Sequence, residues 1–167
     1  MTAPSTARAT GPRRRDARAS ITIRPVTQAD RAAWARLWRG YNAFYERTIA
    51  AAVTARTWSR FLDAAEPMHA LVAQRGDRLV GLAHYVFHRS TSLMGPTCYL
   101  QDLFTEASAR RSGVGRALIE AVYASARAGG ARRVYWHTHR GNATAIRLYD
   151  AVARDTGFIV YGKDLPG

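Results

Sequence analysis

Cysteine and long apolar runs are nearly missing from this chain of 167 residues. The single cysteine, Cys98, excludes an internal disulfide, which fits a reducing compartment and predicts a cytoplasmic protein. No run of 18 or more apolar residues is present, so the sequence predicts no membrane-spanning helix. The first residues contain arginine without an apolar stretch behind it, which argues against a secretory signal.

Acidic residues are also scarce, since 12 Asp and Glu stand against 25 Lys and Arg and give a formal net charge of +13. Residues 1–19 hold five arginines and one aspartate without apolar periodicity, and we expect them to form a disordered basic tail. Residues 20–167 are predicted to form a single domain, which is itself basic. An anionic partner is therefore expected: a phosphate-bearing cofactor, nucleic acid or an acidic surface.

Hydrophobic periodicity predicts a mixed α/β domain with the element order β-α-α-β-β-β-α-β-α-β, an antiparallel meander that leads into a β-α-β unit. The predicted strands are residues 21–26, 68–75, 79–88, 97–105, 133–138 and 157–161. A capping box over Thr27–Asp30 begins the first predicted helix, Gly129-Gly130 ends the third, and Asn142 caps the fourth. Residues 75–78 (Arg-Gly-Asp-Arg) are a predicted hairpin turn. Each of the four predicted helices has one apolar face. These faces are formed, in chain order, by Trp34, Leu37, Trp38, Tyr41 and Tyr45 in the first helix; Trp58, Phe61, Leu62 and Ala65 in the second; Val114, Ala117, Leu118, Ala121 and Val122 in the third; and Ala145, Leu148, Tyr149 and Val152 in the fourth.

The turn before the third helix, in the stretch SARRSGVGRAL (residues 108–118), is unusual for a helix start because it combines paired glycines with arginines. Backbone N–H groups at a helix N-terminus lack partners, and glycine at 113 and 115 lets a bulky anion approach them. Arg110, Arg111 and Arg116 would add positive charge. The pattern is neither a Walker loop nor the Gly-x-Gly-x-x-Gly fingerprint. A pyrophosphate cradle and a plain solvent-facing turn are both compatible with these residues alone.

The C-terminal half, roughly residues 97–161, resembles the GNAT superfamily of acyl-CoA-dependent N-acetyltransferases. Arg110-x-x-Gly113-x-Gly115 resembles the pyrophosphate loop of that family, and Asn142-x-x-Ala145-x-x-x-Tyr149 followed by Gly157-Phe158 resembles its later motif. The segments YLQDLF and VYWHT are most similar to fungal histone and polyamine acetyltransferases and to spermidine/spermine acetyltransferases. The resemblance implies a GNAT fold, with a mostly antiparallel central sheet flanked by helices, and acetyl-CoA as co-substrate.

The resemblance also implies where acetyl-CoA binds. Backbone groups of Leu103, Phe104 and Thr105 would pair with the pantetheine arm like an added strand, and an N–H near Phe104 would polarise the thioester carbonyl. Trp136 and His137 would form the far wall of the slot, and Asn142 would reach the pantetheine. The implied cofactor-binding residues are Leu103, Phe104, Thr105, Arg110, Arg111, Ser112, Gly113, Val114, Gly115, Arg116, Trp136, His137 and Asn142.

Tyr149 is the candidate general acid that protonates the leaving thiolate, although periodicity alone places it on a core stripe. Several relatives have glutamate at the position of Gln101, and an amide side chain cannot accept a proton. Asp102 remains as a candidate, but strand alternation predicts that it points to the face opposite Gln101. We expect the ammonium of the acceptor to lose its proton to water, with help from Asp102. Asp102 could instead bind a cationic substrate or support the fold.

The acceptor is expected to bind near Tyr41, Tyr45, Glu46 and Gln101, where Glu46 would attract an amine and aromatic faces would add cation–π attraction. Core packing for the tyrosines and a solvated charge for Glu46 explain the same residues. His137 shares a strand face with His139, but neither Cys nor a carboxylate falls at a useful spacing, so we expect no metal site.

Three kinds of function fit these observations. The first is transfer of an acetyl group from acetyl-CoA to a primary amine, by direct attack in a ternary complex. A small amine, polyamine or amino acid is favoured as acceptor over a protein lysine, because the basic surface opposes long-range capture of cationic chains. The second is an acyl-CoA sensor without turnover, which Gln101 allows. The third is a basic nucleic-acid-binding protein, which leaves the glycine turn unexplained. We also expect a homodimer.

Overall fold

The structure is a computed structural model that describes residues 20–166, so the predicted tail, residues 1–19, lies outside the described residues. One sheet runs in the order β1 (Ile21–Pro25), β2 (Met68–Arg75), β3 (Arg78–His88), β4 (Thr97–Thr105) and β5 (Val134–Tyr135). The first four strands pair antiparallel, and β5 pairs parallel with β4. The helices are α1 (Arg31–Phe44), α2 (Ala51–Phe61), α3 (Val114–Ala128) and α4 (Ala143–Asp150). The predicted mixed, mostly antiparallel architecture is confirmed.

Helices cover both faces of the sheet, and each face has its own core. Buried Trp34 and Leu37 of α1 and Trp58 of α2 pack on one face, because their spacing puts them on a single side of each helix. Val114, Leu118 and Val122 of α3, spaced by four residues, pack on the other face. The antiparallel part of the sheet is thus a rigid support on both sides.

The predicted capping box at the start of α1 is confirmed, although residues 28–30 form a short 3₁₀ turn before the helix proper. The Asp30 carboxylate accepts a hydrogen bond from the Thr27 backbone N–H (2.8 Å) and two from the Arg24 guanidinium (2.7 and 2.8 Å). These bonds hold the pKa of Asp30 well below its usual value, chiefly through Arg24. They tie the beginning of α1 to strand β1.

Three predicted elements differ from the structure, two of them in the C-terminal part. The predicted strand 133–138 is paired only over Val134–Tyr135. The predicted last strand, 157–161, is absent: residues 154–166 carry neither helix nor strand and are exposed. In addition, α2 ends at Phe61, so Leu62 and Ala65 lie beyond it. The alternating pattern FIVY has strand propensity, but propensity forms a strand only where a neighbouring edge pairs with it.

A register shift in β4 corrects the prediction for Asp102. Asp102 pairs with His84 and Leu100 pairs with Tyr85, so Gln101 is an extra residue, as in a β-bulge. Leu100 and Leu103 both pack in the core beneath α3. Gln101 and Asp102 therefore lie together on the face towards α1, instead of on opposite faces as strict alternation predicted.

Candidate functional site

A slot opens where β4 and β5 separate. The two strands pair only through Cys98–Val134 and Tyr99–Tyr135, so the edge of β4 that faces β5 is unpaired over Leu103, Phe104 and Thr105 within the described residues. Backbone groups on this edge are available to an extended ligand arm, as in strand addition. Residues 103–116, which run from this edge through the glycine turn, are called the turn wall below.

The glycine turn within the turn wall has the backbone shape of an anion site. Arg111 has φ +60° and Gly113 has φ +85°, both in the left-handed region. Such turns direct successive N–H groups into one concavity. The helix that follows begins at Val114, where the first N–H groups lack intrahelical partners and the dipole is positive. A Cβ placed on Gly113 would meet no atom within 4 Å, so the space over the turn is open to a ligand.

Side chains around the turn are partly fixed by the fold. Arg110 donates from Nε to the carbonyl oxygen of Thr105 (3.2 Å), and its guanidinium lies 5.8 Å from the centre of the Phe44 ring. Ser112 accepts a hydrogen bond from Arg75 and donates to the Ala109 carbonyl, both at 2.7 Å. Arg110 and Ser112 thus stabilise the turn, while the exposed Arg116 is left to meet an anion from solvent.

Tyr149 projects from α4 and is half-buried; its neighbour Leu148 lies beside Gly115 of the glycine turn. The Tyr149 ring lies 5.3 Å from that of Trp136. Burial is the main reason why the pKa of Tyr149 rises to about 12; neighbouring Tyr45 adds to the rise, and contact with Thr138 offsets part of it. The phenol therefore keeps its proton through neutral and alkaline pH, as a general acid requires.

Trp136 and His137, both predicted for the far wall, point to opposite faces of the sheet. Trp136 packs in the core between Tyr123 and Tyr149. His137 is exposed on the other face, with its Nδ1 3.3 Å from the Tyr99 hydroxyl. Of these two residues, it is therefore His137 that offers a polar group on the face that holds Gln101.

Asn142 caps α4 as predicted. Its side-chain oxygen accepts from the Ala145 N–H at 3.4 Å, and its amide donates weakly to the Thr138 hydroxyl at 3.5 Å. The residue thus links the start of α4 to the strand side of the slot.

The predicted acceptor residues divide into two groups. Tyr41 is buried, Tyr45 is half-buried, and their rings meet edge to face at 5.0 Å. Glu46 and Gln101 are exposed. Glu46 has φ +52° because it ends α1 in a Schellman motif: its N–H donates to the Ala43 carbonyl (3.1 Å), and the Arg47 N–H donates to the Asn42 carbonyl (2.9 Å).

Tyr45 connects α1 to the rest of the slot. Its ring lies 6.1 Å from that of His139, and it lies close enough to Tyr149 to add to the rise in the pKa of that phenol. We call Tyr41, Tyr45, His139 and Tyr149 the aromatic wall. The sequence did not single out His139 for this wall, because nothing local to residues 137–141 indicates that it meets α1.

Asp102 is buried, at 5% exposure, and its surroundings are polar. The Nδ1 atom of His84 lies 3.0 Å from its Oδ2, and the indole N–H of Trp34 donates to Nε2 of His84 at 2.9 Å. Burial raises the pKa of Tyr41, and the nearby Asp102 carboxylate adds to that rise. Sequence reasoning missed His84 and Trp34, since both stand at ordinary core positions in the periodic pattern.

The described part of the chain has neither a cluster of metal ligands nor an activated cysteine. Within residues 20–166 no group of three His, Cys, Asp or Glu side chains is arranged to hold a metal ion. Cys98 is fully buried, and burial raises the pKa of its thiol to about 11, so it is not an activated nucleophile. No helix in the described range is long and apolar enough to cross a membrane.

Comparison with known proteins finds N-acetyltransferases among the relatives. A profile of the acetyltransferase (GNAT) family matches residues 31–153. The D-amino-acid N-acetyltransferase HPA3 of Saccharomyces cerevisiae is 33% identical over 147 residues, which cover 86% of this chain and 91% of that protein. The uncharacterized N-acetyltransferase YhfO of Bacillus subtilis is 29% identical over 151 residues, which cover 87% of this chain and 99% of that protein.

Solved structures share the fold. The aminoglycoside N-acetyltransferase AAC(6')-Iy, in complex with a bisubstrate analogue built on CoA, has a TM-score of 0.76 at 17% identity and covers 88% of this chain and 99% of its own. The acetyltransferase meta-AAC0020 from an uncultured soil metagenomic sample has a TM-score of 0.75 at 18% identity and covers 87% and 97%. The open turn and slot fit a CoA ligand. This chain therefore belongs to the acetyltransferase (GNAT) family and is an N-acetyltransferase that uses acetyl-CoA.

Proposed function

We propose that this enzyme acetylates the primary amine of a small molecule, by direct attack on acetyl-CoA while both substrates are bound. The observation that carries the proposal is an open anion turn at residues 110–115 packed beside α4, which bears the protonated Tyr149. Acetyl-CoA supplies the acetyl group as a reactive thioester. In the overall step a nitrogen–carbon bond forms and a carbon–sulfur bond breaks.

The turn wall binds and orients acetyl-CoA in this proposal. The N–H groups at the start of α3, with Arg110, Arg111, Ser112 and Arg116, hold the pyrophosphate. The unpaired edge of Leu103–Thr105 holds the pantetheine arm, and Asn142 and the Trp136–His137 segment close the slot. A backbone N–H near Phe104 donates to the thioester oxygen as negative charge develops there. Gly113 keeps this path free of a side chain, and Gly115 leaves room for Leu148 of α4 to pack beside the turn.

The aromatic wall performs the proton transfers in this proposal. Tyr149 donates its phenolic proton to the thiolate as the carbon–sulfur bond breaks. The ammonium of the acceptor loses its proton to water, since Gln101 cannot accept one. Asp102 assists from beneath the slot through its negative charge, with both His84 and Tyr41 in contact with its carboxylate.

A small amine fits the acceptor side better than a protein chain. Tyr45 and Gln101 face the slot with Glu46 at its rim, which provides rings for cation–π attraction and one exposed carboxylate. The yeast relative acetylates D-amino acids according to its name, which supports an amino acid or similar amine. The closer similarity to histone and polyamine acetyltransferases stays a prediction, as does the cytoplasmic location.

The test is release of free thiol from acetyl-CoA with a panel of amines: L- and D-amino acids, polyamines, an aminoglycoside and a lysine-rich peptide. We expect amine-dependent release with one of the small acceptors, and the acetylated amine in the mass spectrum. Turnover restricted to the peptide would favour protein-lysine acetylation. CoA binding without release for any amine would favour a sensor, and a salt-sensitive affinity for DNA or RNA would favour nucleic-acid binding.

We also propose that the enzyme is a homodimer that uses its C-terminal segment. Phe158 and Tyr161 are 83% and 88% exposed, and Phe158 lines a cavity of about 610 Å³ together with Tyr123, Val134 and Val152, beside the open edge of β5. Strand-like apolar residues next to an unpaired edge favour pairing with a second copy. Light scattering should give a dimer for the full chain and a monomer after truncation at Thr156; a full chain that is monomeric at the same concentration would contradict this.

A further inference from the structure

A hydrogen-bonded chain crosses the core beneath the slot. It starts at the indole N–H of Trp34 in α1, passes through His84 in β3 and ends at the carboxylate of Asp102 in β4. The three side chains are 1%, 2% and 5% exposed. Buried polar groups arranged in this way are costly to maintain unless every member is satisfied, so such a network fixes the geometry around it.

The network determines which nitrogen of His84 carries the proton. An indole N–H can only donate, so Nε2 of His84, 2.9 Å away, must accept. The neutral ring then carries its proton on Nδ1, which donates to Asp102 Oδ2 at 3.0 Å. Trp34 therefore sets the tautomer of His84, and His84 in turn orients the carboxylate, as an outer partner orients a ligand in a metal site.

The carboxylate connects to the aromatic wall through Tyr41. The Tyr41 ring packs on Tyr45 at 5.0 Å and stacks at 5.3 Å on Trp38, whose ring lies 5.2 Å from that of His84. The Tyr41 phenol is also close enough to Asp102 for the carboxylate to raise its pKa. Tyr45 in turn neighbours Tyr149 and lies 6.1 Å from His139. The position of the aromatic wall relative to β4 thus depends on the core around Asp102. Trp34 and His84 belong to that core although neither of them lies in the slot.

We propose that Trp34 and His84 are positioning residues for the acceptor amine: they lock the Asp102 carboxylate in one orientation, and through Tyr41 they hold Tyr45 beside Tyr149. The inference rests on the proposed function, because it concerns the acceptor side of that reaction. It assigns no proton transfer to His84. The hydrogen bonds of Arg110 and Ser112 in the glycine turn go to Thr105, Arg75 and Ala109 and not to this network, so we expect binding of CoA to be independent of it.

The chain provides a matched pair of variants. Trp34→Phe removes the indole N–H that fixes His84, whereas Trp58→Phe removes an indole from the same cluster, 4.9 Å away, whose N–H has no hydrogen-bond partner among the described residues. Both variants lose similar apolar volume. We expect Trp34→Phe to raise the KM for the amine and to lower kcat/KM for it about tenfold, while Trp58→Phe changes it less than about twofold. The KM for acetyl-CoA should stay the same in both.

Substitution of His84 itself gives a rescue test. In His84→Gln the amide can still accept from Trp34 and donate to Asp102, whereas in His84→Leu it can do neither. We expect His84→Gln to recover most of the amine KM that His84→Leu loses. Equal amine kinetics for Trp34→Phe and Trp58→Phe, or for His84→Gln and folded His84→Leu, would overturn the inference. Should His84→Leu fail to fold, the tryptophan pair decides.

A nitrogen NMR spectrum of His84 gives a readout that needs no acceptor. We expect a neutral ring protonated at Nδ1 in the wild type and in Trp58→Phe, and a change in that signature in Trp34→Phe. A wild-type ring protonated at Nε2 would overturn the inference while leaving the proposed function untouched. A wild-type enzyme that binds CoA but acetylates no amine would instead overturn the proposed function.

Discussion

The turn wall of the slot is one continuous piece of chain, residues 103–116, whereas the aromatic wall takes Tyr45 from the end of α1, His139 from the segment after β5 and Tyr149 from α4. The first binds its ligand mainly with backbone groups, and its shape follows from local conformation at Arg111 and Gly113. The second depends on how helices and strands pack. A local segment can be recognised from sequence, while a wall assembled from distant elements is visible only in the fold.

The largest effect is expected from the aromatic wall. Tyr149→Phe removes the acid that protonates the thiolate, so kcat should fall about a hundredfold, while the affinity for CoA stays the same. Because the pKa of Tyr149 lies near 12, the wild-type rate should show no alkaline decline from this group below about pH 11.

Tyr123→Phe is the control for that variant, since its hydroxyl donates to the Val152 carbonyl (3.0 Å) away from the slot. It should leave kcat unchanged. A Tyr149→Phe enzyme with wild-type turnover at every pH would remove Tyr149 from the acid role.

Substitutions in the turn wall should weaken the binding of CoA and leave kcat largely unchanged. Gly113→Ala places a side chain at φ +85° over the anion turn and should weaken CoA binding about tenfold in calorimetry. Gly76→Ala in the β2–β3 turn, at φ +60° and equally free of neighbours, is its matched control. Both should lose roughly 1 kcal/mol of stability, because both force an L-residue into the left-handed region. Equal CoA affinity in the two variants would show that the turn does not bind the pyrophosphate.

The bonds between Arg24 and Asp30 at the start of α1 allow the stability of the fold to be changed without changing the slot. Asp30→Asn loses the charge-assisted bonds to Arg24 and should lower the free energy of unfolding by about 2 kcal/mol at neutral pH. The folded pKa of Asp30 is depressed, so its contribution is present above the usual value of 3.8 and is lost as the pH falls below it.

The difference between wild type and Asp30→Asn should therefore shrink from about pH 4 downwards in chemical denaturation. Exposed Asp77→Asn should show no such difference. Kinetics of folded Asp30→Asn should match the wild type, because the Arg24–Asp30 pair lies far from the aromatic wall; a raised amine KM would show that any loosening of α1 disturbs the slot.

The smallest effect is expected at the bulge. Gln101→Glu adds a carboxylate on the slot side of β4, which should lower the KM for a cationic amine by a few-fold at low ionic strength and less in high salt. Gln74→Glu, on β2, is the control away from the slot. A KM that is unchanged at all salt concentrations would place the amine away from Gln101.

Much of the fold followed from sequence because its signals are local. The apolar faces of α1 and α3, the capping box at Thr27 and the hairpin at Gly76 each arise from neighbouring residues. The turn and the cap at Asn142 were found for the same reason, and the family resemblance gave them a shared purpose.

The remainder depends on pairing between distant segments. Alternation predicted that Asp102 turns away from Gln101, but the bulge that places them together is fixed by the register of β3 against β4. The FIVY segment has the composition of a strand, but a strand also needs an edge to pair with. His84 resembles any core residue until Trp34 and Asp102 are seen on its two nitrogens.

The most direct test of the account is a two-substrate initial-velocity analysis with the acceptor that the amine panel identifies. Rates are measured over a grid of acetyl-CoA and amine concentrations. Two walls that hold both substrates at once predict double-reciprocal lines that intersect. Parallel lines would indicate an acetylated enzyme intermediate and would contradict direct attack across the slot.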